Sequence, residues 1–191
     1  MRIDFVYDRI NAEKKYNLTV IMKKNFIPDY LFASYADVRP DFLCSIGVRA
    51  LLIDIDNTLA PYEVADADEA HIAWFSSLRE AGIRCALISN NHPPRVERFN
   101  AKLGLDAYPD SHKPARKALD TAMARLGVDA SETAVLGDQI FTDVWAGKRI
   151  GLRAILVPPI RDKKTLFFRF KRLLERPFLR AYRKREEKKN G

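Results

Sequence analysis

The chain has 191 residues, which is enough for one domain with a buried core and short for two. Apolar residues make up 47% and charged residues 30%, a balance that excludes an intrinsically disordered chain. The net charge of +8 is uneven, because residues 161–191 hold thirteen basic and four acidic side chains while residues 1–160 sum to −1. The basic character therefore belongs to a C-terminal extension of a nearly neutral body.

Cysteine and histidine usage excludes two further classes of protein. Cys44 and Cys85 form no CxxC pair and the three histidines lack the spacing of a zinc motif, so we expect neither a disulfide scaffold nor a cysteine zinc site. The apolar runs fall far below the ~18 residues of a membrane span, and acidic residues near the N-terminus argue against a signal peptide. We therefore expect a cytoplasmic protein.

Residues 1–48 form the first predicted segment. The stretch 24–45 is rich in aromatic residues and contains Pro28 and Pro40. We predict short helices and turns there, packed on the core or facing a partner, and not a separate domain.

Residues 49–160 predict an α/β core. Short apolar strands are predicted at 50–55, 84–89, 106–108, 133–136 and 153–157. Helices with apolar spacing or with Pro and Gly at their ends are predicted at 66–81, 94–103, 115–126 and 142–150. This alternation predicts a parallel sheet of about five strands with helices on both faces, and ligands bind such sheets at the carboxyl ends of the strands.

Residues 161–191 predict a basic amphipathic helix. Its apolar arc consists of Leu166, Phe167, Phe170, Leu173 and Leu174, opposite a charged side. We expect Pro177 to end or kink this helix. Two interpretations stay open, since the apolar arc can pack on the body or the helix can lie at an anionic membrane surface.

Polar residues gather where the predicted strands end. The clusters are Asp54, Asp56 and Thr58 after the first strand, Ser89 and Asn90 after the second, Lys113 before the third helix, and Asp138 with Asp143 after the fourth strand. Because the carboxyl ends of parallel strands share one edge of the sheet, we expect these clusters to converge.

The converging residues suit phosphoryl transfer. Asp54, Asp56 and Asp138 carry three negative charges that raise one another's pKa unless a cation intervenes, and Mg²⁺ takes such oxygen ligands together with a substrate phosphate. One of the first two carboxylates can attack phosphorus and form an aspartyl-phosphate, and the other can act as acid and base. Ser89 can hold phosphate oxygens, and Lys113 can offset charge in the transition state.

This constellation resembles the haloacid dehalogenase (HAD) superfamily of phosphohydrolases. The sequence DIDNT at 54–58 matches the first motif of that family, ISN at 88–90 the second, the lysine of HKP at 112–114 the third, and GDQIFTD at 137–143 the fourth. The match spans about 100 residues with all four motifs in order. It implies a three-layer, Rossmann-like fold.

The resemblance also implies roles for the acidic residues. Asp54 corresponds to the nucleophile and a Mg²⁺ ligand, and Asp56 to the general acid/base that gives the metal its backbone carbonyl. Asp138 corresponds to a further metal ligand, and Asp143 to a carboxylate behind the ligands.

For the remaining motif residues, the resemblance implies phosphate binding and charge balance. Ser89 and Asn90 correspond to the phosphate clamp, Thr58 to a residue that orients the nucleophile loop at the phosphate site, and Lys113 to the charge-balancing catalytic lysine. The acid at Asp56 favours phosphatase over dehalogenase chemistry.

The chain leaves no room for the cap domain that many HAD enzymes insert after the first or second motif. It is similar to the YqeG-type, subclass IIIA branch, which includes phosphatases that resemble phosphatidylglycerophosphatase. The resemblance implies phosphatidylglycerol phosphate as substrate, and the tail 161–191 could dock the open site at the inner face of an anionic membrane.

Two alternatives to a lipid substrate remain. The enzyme could hydrolyse a soluble phosphomonoester, such as a nucleotide or sugar phosphate, with a second subunit covering its open site. The basic tail could instead bind nucleic acid, a partner we do not expect because the sequence contains no RNA-reading motif.

Overall fold

The computed structural model describes residues 24–161 and 166–190 of the chain. Within them, six parallel strands form one sheet in the order β1-β6-β5-β2-β3-β4. The strands are β1 (Tyr30–Leu31), β2 (Ala50–Ile53), β3 (Arg84–Ile88), β4 (Asp106–Tyr108), β5 (Thr133–Gly137) and β6 (Arg153–Leu156). All five predicted strands are present, and β1 adds a sixth at the edge.

Helices lie between the strands. They are α1 (Pro40–Ser45), α2 (Glu69–Glu80), α3 (Pro93–Asn100), α4 (Lys117–Leu126), α5 (Trp145–Lys148) and α6 (Leu166–Asn190). One turn of π-helix, Ile140–Val144, runs directly into α5, so the predicted helix 142–150 has an irregular start. Only α2 separates β2 from β3 and only α3 separates β3 from β4, which confirms a core without a cap domain.

Strand β2 shows why the fold has three layers. Leu51 and Ile53 belong to one buried apolar cluster, with side chains of α2 and α3, whereas Leu52 between them belongs to a second cluster with side chains of α4 and α5. Successive side chains of a strand point to opposite faces, so both faces of β2 are covered. The parallel α/β fold predicted from strand alternation is confirmed.

The described part of the N-terminal segment, residues 24–48, packs against the sheet. β1 pairs with β6, with Tyr30 opposite Ile155. The rings of Tyr30 and Phe32 make edge contacts with the ring of Phe42. The rest of this segment, residues 1–23, lies outside the described residues.

Helix α6 corrects the expectation for Pro177, which lies inside the helix and does not end it. Proline removes one backbone donor and normally breaks a helix. Pro177 is on the exposed side, where water can hydrate the carbonyl that lacks its helical partner.

The orientation of this helix decides against one of the two interpretations of its apolar arc. Phe170, Leu173 and Leu174 are exposed, and the charged Glu175 is buried. The interpretation in which these apolar residues pack on the body is therefore wrong. The side chains of Leu166 and Phe167, also predicted to lie on that arc, are outside the described ones. No helix in the described ranges is long and apolar enough to cross a bilayer.

Candidate active site

The first motif turns sharply as it leaves β2. Asp54 and Asp56 follow the strand and are buried. Asn57, between Asp56 and Thr58, adopts a positive φ of 65°, a conformation that asparagine tolerates better than most residues. This turn brings the hydroxyl of Thr58 within 3.0 Å of Asp54 Oδ2, to which it donates. Thr58 thus orients the carboxylate of Asp54.

Lys113 lies beside Asp54, in the place where the third motif meets the first. Its Nζ is 2.7 Å from Asp54 Oδ1, 2.7 Å from Asp143 Oδ1 and 2.7 Å from the carbonyl oxygen of Ile88, to which it also donates. Two of these contacts are hydrogen bonds, to Asp54 and Ile88, and the contact with Asp143 is an ion pair. Burial alone would lower the pKa of Lys113, but the carboxylates of Asp143 and Asp54 outweigh it and raise the pKa.

Asp138 and Asp143 bring the fourth motif to the same place. One carboxylate oxygen each from Asp54, Asp138 and Asp143 can be chosen so that all three lie within 4.8 Å of one another. Gly137 makes this possible, because a Cβ there would overlap the carboxylate of Asp143. Asp143 also accepts a hydrogen bond from the backbone N–H of Gln139 at 3.1 Å, which fixes the start of the π-helical turn.

The carboxylate cluster fits a divalent cation. Asp138 Oδ1 is buried and has no hydrogen-bond partner, a condition that is costly unless a ligand satisfies the oxygen. Burial raises the pKa of Asp54 to about 8 and that of Asp138 to about 6, and neighbouring carboxylates add to both rises. Oxygen donors with excess negative charge are what Mg²⁺ requires.

Asp56 makes different contacts from those of the other carboxylates. Its Oδ2 accepts from Asn91 Nδ2 at 3.0 Å, and its Oδ1 accepts from Arg95 Nε at 3.2 Å. The other end of the Arg95 guanidinium donates to the carbonyl of Ala65, so the arginine links this carboxylate to the loop that follows the first motif. These donors hold the side chain of Asp56 apart from the cluster of Asp54, Asp138 and Asp143.

The second motif supports the lysine loop. Asn90 Oδ1 accepts from the backbone N–H of Lys113 at 2.6 Å and from Ser111 Oγ at 2.8 Å, and its Nδ2 donates to the carbonyl of Lys113. Ser89 is buried, and its hydroxyl accepts from the backbone N–H of Asn91 at 3.0 Å. The side chain of Asn90 is thus committed to positioning Lys113.

Helix α6 reaches into the same site. Arg172 donates from Nη2 to Asp138 Oδ2 at 2.6 Å and from Nη1 to the carbonyl of Asp138 at 2.7 Å. Glu175, almost fully buried, accepts from Arg172 at 2.8 Å and from the backbone N–H of Ile140 at 2.9 Å. Lys171 donates to the side-chain oxygen of Gln139. These contacts together fasten the helix to the fourth-motif loop.

A cavity of about 340 Å³ opens onto this cluster. Asp54, Asp56 and Lys113 line its floor, and Tyr62 and Lys171 line it from the loop after the first motif and from α6. Burial and the nearby carboxylates of Asp56 and Asp54 raise the pKa of Tyr62 to about 12, so its hydroxyl stays a donor. Burial lowers the pKa of Lys171, against the attraction of Glu175.

The structure brings every sequence-predicted site residue to one edge of the sheet, and the neighbours that were not predicted include four that donate to its side chains. Asn91 directly follows Ser89 and Asn90, so adjacency could have suggested it. The other three are Arg95, Lys171 and Arg172. Nothing in the chain order relates the arginine of α3 or the basic pair of α6 to the acidic motifs, although Glu175 at helical spacing from Arg172 is a usable signal.

Comparison with known proteins identifies relatives of this chain. Residues 60–151 match the haloacid dehalogenase-like hydrolases. The chain is 33% identical over 165 residues to the "Probable phosphatase YqeG" of Bacillus subtilis, an alignment that covers 86% of this chain and 96% of that protein.

Solved structures with lower identity are also similar. The cobalt-bound deoxy-D-mannose-octulosonate 8-phosphate phosphatase of Haemophilus influenzae is 17% identical, with a TM-score of 0.45 over 71% of this chain and 90% of its own. Another is a 3-deoxy-D-manno-octulosonate 8-phosphate phosphatase of Moraxella catarrhalis, in complex with magnesium, phosphate and KDO. It is 20% identical, with a TM-score of 0.41, and the match covers 50% of this chain and 60% of that one.

Proposed function

Because the chain belongs to the haloacid dehalogenase-like hydrolases and is a phosphatase of that family, we propose that it hydrolyses phosphomonoesters through an aspartyl-phosphate on Asp54. The observation that carries this proposal is the contact between Asp54 and Lys113, 2.7 Å apart at the floor of an open cavity. Thr58 and Lys113 hold the two oxygens of the Asp54 carboxylate from different sides, so the nucleophile has a defined orientation.

In the first step, the carboxylate of Asp54 attacks the phosphorus atom and the bond from phosphorus to the alcohol oxygen breaks. Asp56 donates its proton to the departing oxygen, so the alcohol leaves neutral. Asn91 and Arg95 hold the two oxygens of Asp56 and set its direction toward the cavity that it lines. Lys113 offsets the charge that accumulates on the transferred group.

In the second step, Asp56 takes a proton from water, and the water oxygen attacks the phosphorus of the aspartyl-phosphate. The bond between Asp54 and phosphorus breaks, inorganic phosphate leaves and the carboxylate is restored. The open cavity admits this water.

Asp54 and Asp138, with the backbone carbonyl of Asp56, would hold Mg²⁺. When bound, the cation supplies positive charge that offsets the repulsion between these carboxylates and the substrate phosphate. Asp143 lies in the same cluster and holds Lys113, so its role is to keep the lysine beside Asp54.

We further infer that the substrate is phosphatidylglycerol phosphate. The cavity can admit part of a large substrate, because no cap domain covers it in the described residues. Lys171 at the mouth adds a cation beyond Lys113, and this lipid carries a phosphodiester next to its scissile phosphomonoester. The order of the motifs, which resembles the YqeG-type, subclass IIIA branch, is the sequence-based support for this substrate.

The test is Mg²⁺-dependent phosphate release from phosphatidylglycerol phosphate in mixed micelles, compared with a panel of soluble phosphomonoesters. Asp54→Asn should lower turnover at least about 10³-fold, and Asp120→Asn, at a surface ion pair, should not. Acid quenching of the unmodified enzyme should trap a phosphoryl group on Asp54. Normal turnover in Asp54→Asn would overturn the mechanism, and preference for a soluble ester would overturn only the lipid assignment.

A further inference from the structure

The large hydrophobic side chains that are exposed in the described residues fall in three short segments of the chain. They are Tyr62, Val64, Ile160, Phe170, Leu173 and Leu174, and we call this set the apolar rim. Isolated exposed hydrophobics are normal on any protein, but a set confined to one region marks a binding surface.

The rim residues belong to segments that reach the active site. Tyr62 lines the cavity itself, and Val64 is in the same loop, where its N–H bonds the carbonyl of Pro61. Ile160 is tied to the first motif, because its backbone N–H donates to the carbonyl of Asn57 at 3.0 Å. Lys171, next to Phe170, also lines the cavity.

Helix α6 contributes the most exposed part of the rim. Phe170 is 59% exposed, Leu173 52% and Leu174 45%. The contacts of Arg172 and Glu175 with the fourth-motif loop hold the helix in this orientation. These three apolar side chains therefore face outward, because Arg172 and Glu175 bind the fourth-motif loop from another side of the helix.

The exposed face of α6 becomes basic farther along the helix. At a 3.6-residue period, Arg176, Arg180 and Lys184 continue the face of Leu173, and all three are exposed. The exposed Arg183 and Lys188 lie near them. One face thus presents apolar side chains near the active-site mouth and, beyond it, five cations with a single acid, Glu187, the pattern of a helix that lies in an anionic membrane interface.

We propose that the apolar rim and the basic face of α6 dock the protein on an anionic phospholipid bilayer, with the active-site opening against the lipid headgroups. The exposed cations complement such a surface, and Phe and Leu side chains at the mouth suit the boundary between headgroups and acyl chains. A nucleic acid would use the cations but would leave the aliphatic rim exposed. This inference rests on the proposed function in one respect, because docking would present a lipid phosphomonoester to Asp54.

The test is co-sedimentation of the full chain with vesicles of phosphatidylcholine alone and of phosphatidylcholine with phosphatidylglycerol. The unmodified protein should bind the anionic vesicles far more tightly. The triple variant Phe170→Ala, Leu173→Ala, Leu174→Ala should lose roughly tenfold or more in apparent affinity. The double variant Arg180→Gln, Lys184→Gln should bind anionic vesicles more weakly than the unmodified protein at low salt. At high salt the two proteins should differ less, because salt screens the attraction between these cations and the membrane surface.

A matched control lies at the opposite edge of the sheet. Arg79 and Lys102 are exposed beside the starts of β3 and β4, so Arg79→Gln, Lys102→Gln removes the same charge away from the rim. It should keep most of its vesicle affinity. Leu173→Trp should show fluorescence quenching by brominated lipid beyond that of the unmodified protein, and thermal unfolding of every variant checks its fold.

Three results would overturn the docking proposal. They are absence of vesicle binding by the unmodified protein, equal losses in the rim and control variants, and a shift from dimer to monomer in the triple variant, which would assign the rim to a second copy of the chain. Hydrolysis of the lipid in detergent micelles separates the two proposals. Hydrolysis without vesicle binding rejects only docking, and vesicle binding without phosphatase activity rejects only the proposed function.

Discussion

The guanidinium of Arg172 holds Asp138 through both its side chain and its backbone, at 2.6 Å and 2.7 Å. Asp138 Oδ2 is thereby occupied, and Oδ1 is left buried without a hydrogen-bond partner. A residue from the C-terminal helix therefore orients the carboxylate of the fourth motif that we propose as a cation ligand. Contacts of this kind behind a metal ligand set its direction and affinity.

Replacement of this arginine should weaken metal binding. We expect Arg172→Ala to lower Mg²⁺ affinity by about 10- to 100-fold, because Asp138 loses its orientation and its pKa rises further without the opposing positive charge. Arg172→Lys keeps the charge but cannot make both contacts, so its Mg²⁺ affinity should lie between those of the unmodified protein and Arg172→Ala. Calorimetric titration with Mg²⁺ measures the affinity directly.

The control for this prediction is Arg176→Ala, one turn later on the exposed face of α6. It should bind Mg²⁺ as the unmodified protein does. Tighter Mg²⁺ binding by Arg172→Ala would contradict the positioning role, since it would mean that the guanidinium competes with the cation for Asp138.

A second prediction concerns the acid/base. Arg95→Ala should lower kcat by about tenfold or more with a smaller change in KM, because Asp56 loses one of the two donors that direct it. The effect should vanish when Asp56 is already Asn, since the arginine acts only through that carboxylate. Steady-state kinetics of the two single variants and the double variant measure this coupling, and additive losses would exclude it.

A third prediction compares the effect of steric crowding in the active site with that of steric crowding in the core. Gly137→Ala places a Cβ against the carboxylate of Asp143, and Gly147→Ala places one against Val135. Both should destabilise the fold by about 1–3 kcal/mol through overpacking. Only Gly137→Ala should also lose phosphatase activity below its unfolding temperature, because Asp143 holds Lys113. Comparable activity in the two variants would argue against this role of Asp143.

The sheet and the convergence of the motifs could be predicted because both depend on local patterns. Short apolar strands that alternate with helices leave few arrangements, and parallel strands bring the residues at their carboxyl ends to one edge of the sheet. The proximity of Asp54, Lys113 and Asp138 therefore follows from the sequence pattern. The link from Arg95 to Asp56 could not be, since it depends on how α3 packs and no periodicity records it.

The orientation of α6 could not be predicted for a different reason. Its periodicity defines two faces, and burial of the apolar face is the usual outcome. Here the body presents two buried polar groups to the helix. The carboxylate of Asp138 needs a positively charged donor, and the backbone N–H of Ile140 needs an acceptor. Arg172 and Glu175 supply both, so these two charged side chains turn inward and Leu173 is left outside. A hydropathy pattern alone does not show that polar groups on the body need partners from this helix.

The final prediction concerns the pH dependence of stability without metal. Burial raises the pKa of Asp54 from 3.8 to about 8 and that of Asp138 from 3.8 to about 6. Between the unfolded and folded pKa values the folded protein binds more protons than the unfolded chain. The contribution of these groups to the free energy of unfolding is therefore complete below about pH 4 and is lost as the pH rises toward 8.

Because Mg²⁺ binds the ionised carboxylates, its stabilising effect should run the other way. We expect the rise in Tm on adding saturating Mg²⁺ to be larger at pH 8 than at pH 6, since fewer protons must be displaced. Asp54→Asn should flatten the pH slope of the metal-free protein and remove most of the Mg²⁺ effect. Thermal unfolding from pH 5 to pH 8, with chelator and with Mg²⁺, measures both quantities. An unchanged slope in the variant would mean that Asp54 is ionised in the metal-free fold, with Lys113 and Thr58 sufficient to stabilise its charge.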